Sequence, residues 1–89
     1  MERELEIQKF HYFDEGNFYA GQKTKDADAG VLLRYRVAPF KDESLLRAYC
    51  WTEDRSFERA QNVEQREYPL SEEGLEQAVE WLESQYQNL

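Results

Sequence analysis

The sequence predicts an α+β fold: an antiparallel, meander-like sheet of four to five strands with one C-terminal helix packed on one face, in the order ββββ(β)α. Two observations carry this. Before residue 71 the apolar residues mostly alternate, and residues 31–37 and 45–52 sort by strand parity into two faces. From residue 71 onward the apolar residues recur at helical spacing instead. Ser71 is a good N-cap, because its hydroxyl can accept a bond from an otherwise unpaired first-turn N–H. Leu70 and Leu75 then fall at the N′ and N4 positions of a hydrophobic staple.

Taken in order, residues 4–13 read as a first strand, with Leu5 and Ile7 on one face. Phe10 and Tyr12 are out of phase with them, which points to a bulge near Lys9 or to a strand covered on both sides. Residues 14–17, Asp-Glu-Gly-Asn, have turn chemistry, and residues 18–24 read as a second strand closing a hairpin. A polar loop follows at 25–30. In the third strand, 31–37, Val31, Leu33, Tyr35 and Val37 share one face and Leu32, Arg34 and Arg36 the other. Pro39 is expected to end it, since proline cannot donate to a ladder. In the fourth strand, 45–52, Leu46, Ala48 and Cys50 lie on one face and Leu45, Arg47, Tyr49 and Trp51 on the other.

Residues 53–62 are ambiguous, with Phe57 and Ala60 at the spacing of a short helical turn. Residues 63–68 form a possible fifth, edge strand closed by Pro69. In the helix, Leu75, Ala78, Val79, Leu82, Tyr86 and Leu89 fall within an arc of roughly 100°, flanked by Trp81. Glu76, Glu80 and Glu83 point away from that arc. Gly74 in the first turn costs up to about 1 kcal/mol relative to alanine, so a packing reason for it is expected.

Eighty-nine residues make one domain, 1–89, and a chain of this size buries only about 60–65% of its unfolded surface. Two Trp, six Tyr and five Phe supply large burial per side chain to that thin core. A mean hydropathy of −0.95 and 34% charged residues exclude a spanning helix, which needs a long apolar run. The acidic N-terminus lacks the apolar stretch of a signal peptide. Cys50, the single cysteine, cannot form an intrachain disulfide. Together these predict a reducing, cytoplasmic location.

The net charge of −8 is unevenly placed: the final 26 residues carry seven acids and one base. Glu72, Glu76 and Glu80 are spaced i,i+4 in a helix sequence that contains no Lys or Arg, and each such like-charge pair costs about 0.2–0.5 kcal/mol. A solvated face is the plain explanation, and a face kept for a basic partner is the functional one. The charge argues against a duplex-DNA binder, which displaces counterions with clustered Lys and Arg.

Motifs for catalysis and cofactors are wanting. Residues 16–24 approach a phosphate loop, but Gln22 separates Gly21 from Lys23-Thr24 and a strand rather than a helix follows. Asp26-Ala27-Asp28-Ala29-Gly30 resembles the start of a calcium loop, yet its twelfth position is Val37 rather than a glutamate. His11 and Cys50 are each single, and nothing in the spacing joins them as base and nucleophile. No enzyme activity, cofactor or metal site is therefore predicted.

The functional expectation rests on the sheet face turned away from the helix. It presents Arg34, Arg36, Arg47, Tyr49 and Trp51, and aromatics with arginine are the usual hot spots of protein interfaces. This predicts a non-catalytic interaction module that binds a protein partner or itself, as in a homodimer, with Tyr49 and Trp51 as anchors. The alternative use of the same face is binding of single-stranded nucleic acid, through base stacking and phosphate pairing. A third outcome is an ordinary cross-strand ladder covered by residues 53–62.

Overall fold

Four strands form one open antiparallel sheet in chain order, and the last helix lies across one of its faces. The computed structural model describes residues 4–89. Its elements are α1 (Phe10–Asp14), β1 (Tyr19–Asp26), β2 (Val31–Phe40), a 3-10 turn (Lys41–Glu43), β3 (Leu45–Trp51), β4 (Glu64–Pro69) and α2 (Glu72–Gln87). The sheet order is β1-β2-β3-β4, and the α+β architecture expected from the sequence is the one observed.

The alternation in β2 and β3 sorts their side chains as expected. Leu33, Tyr35, Val37, Leu46, Ala48 and Cys50 are all buried in the main core, beneath α2. From the helix, Leu75, Ala78, Val79, Leu82 and Tyr86 meet them, and Trp81 joins from the flank. Leu89 lies beyond the helix end and is exposed. The Ser71 hydroxyl accepts a hydrogen bond from the Gly74 N–H at 2.9 Å, so the cap forms. Leu70 and Leu75, the two staple residues, both pack into the core.

The first expected strand is absent. Residues 4–9 are irregular, and the aromatic run folds into the single helical turn of α1. No one face of a strand could bury Leu5, Ile7 and Phe13 together with Phe10 and Tyr12. An irregular segment carrying Leu5 and Ile7, followed by a helical turn, does so, placing Phe13 wholly inside while Phe10 and Tyr12 pack at the margin of the core. The edge strand anticipated near 63–68 is β4, so the count of four stands. β2 also runs past Pro39 to Phe40, where Pro39 pairs with Leu46. The β1 partner has ended by then, opposite Val37, so on that side no donor is required of proline.

Residues far apart in sequence tie α2 to the rest. Between Thr24 and Asp26 the β1–β2 register shifts, leaving Lys25 as the extra residue of a bulge that re-aims its side chain. The Lys25 ammonium donates to the main-chain oxygens of Tyr86, Gln87 and Leu89 at 3.0–3.2 Å. It thereby places a positive charge against main-chain oxygens at the negative end of the helix. Glu83, expected to point away, instead accepts the main-chain N–H groups of Glu4 and Leu5 at 2.9 and 2.7 Å. Its carboxylate holds the N-terminal segment against α2.

Tyr35 lies in the same core, and its hydroxyl donates to the Glu6 carbonyl at 2.7 Å. Burial, with Tyr19 adding to it, pushes its pKa up to about 12 from an ordinary 10.0. Burial likewise pushes the Cys50 thiol up to about 12 from 9.0, Glu64 adding and Arg66 opposing. Each group holds its proton more tightly folded than unfolded, so above the unfolded pKa values the native state binds more protons. The stability these two groups contribute is therefore expected to be intact below about pH 9 and to fall as pH rises towards 12. Urea titrations across that range would show it, and Tyr35→Phe should flatten the upper part of the slope.

Candidate protein-interaction face

The far face of the sheet brings together all five residues singled out from the sequence. Arg34 pairs with Trp51, Arg36 with Tyr49 and Ala38 with Arg47 across the β2–β3 ladder. Strand parity puts these side chains on the face away from α2. Their surroundings differ from a bare surface. Residues 53–62 fold back over the face, and Phe57 sits edge-on to Tyr49 with ring centroids 4.8 Å apart and 5.7 Å from Trp51. Tyr49 and Trp51 are consequently buried, in a second small core with Ala38.

The covering segment is held by its own hydrogen bonds. Glu53 accepts the main-chain N–H groups of Gln61 and Asn62, both at 2.9 Å, which closes the base of the loop. Within it, Ser56 accepts from Arg59 and Ala60 in a helical turn. The Trp51 indole N–H donates to the Arg55 carbonyl at 2.7 Å. Arg34 donates to Asp54 at 2.6 Å and to the Arg55 carbonyl at 3.2 Å. Tyr49, Trp51 and Arg34 thus have partners within the chain.

Arg47 is likewise engaged. Its guanidinium donates to Glu67, directly opposite on β4, through Nε at 2.9 Å and through Nη2, and it lies 4.5 Å from the Phe40 ring centroid. Hydrogen bonding to Glu67 holds its pKa above the ordinary value.

Arg36 is different. Its guanidinium lies between two phenyl rings, 4.2 Å from the centroid of Phe18 and 4.8 Å from that of Phe57. Cation–π attraction fixes its orientation, yet it has no ion pair and no hydrogen bond to the described residues. Its Nε, like that of Arg34, is buried and unpaired. Phe18 is 51% exposed, making it and Leu89 the exposed large hydrophobic side chains among the described residues. A groove of about 420 Å³ opens here, lined by Phe18, Ala20, Gln22, Arg36, Phe57 and Glu58 among others.

Sequence reasoning placed Arg36 on this face but missed the two rings that clamp it. Phe18 precedes the regular strand, and Phe57 sits in a segment without a clear period. The remaining chemical candidates are dispersed. His11 is exposed on α1 and contacts Glu15 at 2.8 Å, while Cys50 is buried in β3. Asp26 accepts the Ala29 N–H at 3.2 Å and so braces the β1–β2 turn. No helix among the described residues is long and apolar enough to cross a membrane. No family model matches the chain, and no curated protein and no solved structure matches it either.

Proposed function

We propose that this protein is a non-catalytic interaction module that binds a protein partner, or a second copy of itself, in the cytoplasm. The surface used is the Phe18–Arg36–Phe57 cluster on the sheet face opposite α2. The observation that carries the reading is the clamped Arg36 guanidinium, which lacks an acceptor of its own beside the exposed Phe18 ring. An aromatic side chain and an arginine already immobilised lose little rotamer freedom on binding, which favours them as interface anchors. Tyr49 and Trp51 serve this surface from below. They support Phe57 and do not themselves meet a partner.

Light scattering at high protein concentration, combined with purification of the tagged chain from its native host, tests the reading against Phe18→Asp. The wild type should form a defined dimer or retain a defined partner, and the variant should lose it while keeping its fold. A monomer without a partner, or one retained equally by Phe18→Asp, would refute it.

A further inference from the structure

Arg36 and the edge beside it define what kind of partner fits. In the β1–β2 ladder Arg36 stands opposite Ala20. Its guanidinium stacks on Phe18, the residue just before β1. Ala20 has no side chain beyond Cβ, so nothing on β1 stands between the sheet edge and the guanidinium at that register. Among the described residues, the main chain of Tyr19–Asp26 forms no hydrogen bond outside the β1–β2 ladder. An edge of this kind can accept another strand, in register with alternating side-chain sites on the face.

We infer that an extended, acidic segment of a protein partner adds to the free edge of β1 and directs one Asp or Glu carboxylate across Ala20 onto Arg36. This rests on the interaction-module reading above and names its ligand. Adjacent strands lie about 4.8 Å apart, so the carboxylate must bridge roughly two strand spacings, which a glutamate and an arginine reaching towards each other span. A planar guanidinium stacked between two rings suits bidentate carboxylate recognition.

The other charges nearby are accounted for. Arg34 is paired with Asp54, Lys23 lies 4.0 Å from Glu4, and Lys25 caps α2. Glu58 lines the groove without pairing to Arg36. Arg36 offers one guanidinium without an acceptor in this groove, which suits a single carboxylate. A polyphosphate strand needs several cations along its path. The opposite edge, β4, carries Glu64, Glu67 and Pro69, which repel an acidic strand and remove a donor.

The test is selection of a displayed library of random decapeptides on the wild type, Arg36→Met and Ala20→Leu. Wild type should enrich peptides with an acid at a fixed position among β-forming residues. Changing that acid to its amide should weaken binding about tenfold or more, and the bound peptide should shift the amide NMR signals of Tyr19–Asp26. Arg36→Met should lose the acid preference. Ala20→Leu, which blocks the path and leaves Arg36 in place, should lose it too, and it carries the test alone if Arg36→Met does not fold. Peptides enriched without a fixed acid, or acidic peptides retained equally by both variants, would overturn the inference and leave the interaction module standing. Failure to enrich any peptide, together with a monomer lacking a partner, would overturn both.

Discussion

Replacing Gly74 by alanine is expected to destabilise the protein by at least about 2 kcal/mol, although alanine is the better helix former by about 1 kcal/mol. A Cβ at position 74 would overlap the Pro69 carbonyl oxygen and lie 2.8 Å from its carbonyl carbon. Both are backbone atoms and cannot rotate aside. Pro69 is held on one side by its ladder partner Leu45. Its carbonyl also accepts the Ser71 N–H at 2.9 Å. To admit the methyl group, β4 and α2 must separate, and the Ser71 cap and the Leu70 and Leu75 contacts shift with them. This is the packing reason that the sequence led us to expect for a glycine in a first helical turn. Urea denaturation reads the effect as a lower midpoint. An unchanged or raised midpoint would mean that the β4–α2 junction yields freely.

Phe13→Ala is expected to cost about 3–5 kcal/mol, the usual range for removing a fully enclosed phenyl ring. Phe13 has no exposed surface and meets the ring of Tyr12 edge-on at 5.3 Å. It is the one wholly buried side chain of α1. A domain of this size has a total stability of about 5–15 kcal/mol, so the variant should be partly unfolded at moderate temperature. Thermal unfolding followed by circular dichroism measures the loss. A small shift would show that α1 docks weakly and that the sheet and α2 suffice without it.

The two variants bracket what was legible in the chain. The β2 and β3 faces and the α2 stripe could be read because each repeats one period over several residues, and burial follows period. The α1 region could not. Phe10, His11, Tyr12 and Phe13 are consecutive, so both a strand and a helical turn bury some of them, and only the volume beside the sheet decides between the two. The same holds at the candidate face. Parity placed Arg34, Arg36, Arg47, Tyr49 and Trp51 together and left a cover by residues 53–62 as one of three outcomes, but parity does not choose that outcome or single out Phe57 as the residue that covers two of them. That return depends on Glu53 closing its loop through two main-chain donors, a contact that leaves no periodic trace. Glu83 is a similar case. Its helix position reads as solvent-facing until the N-terminal segment is laid beside it.

The bulge at Lys25 has a consequence for how the molecule opens. One ammonium joins the main-chain oxygens of Tyr86 and Gln87 at the end of α2, and that of Leu89 just past it, to the turn end of β1. Helix ends ordinarily fray on their own, because their last carbonyls have only water to turn to. Here the last turn of α2 cannot loosen without releasing Lys25, and that end of β1 cannot peel from β2 without dropping the cap. The outermost strand and the terminal helical turn therefore form one cooperative unit. A strand that docks on β1 and steadies it would be felt at the opposite side of the sheet, as slower opening of the C-terminal end of the helix.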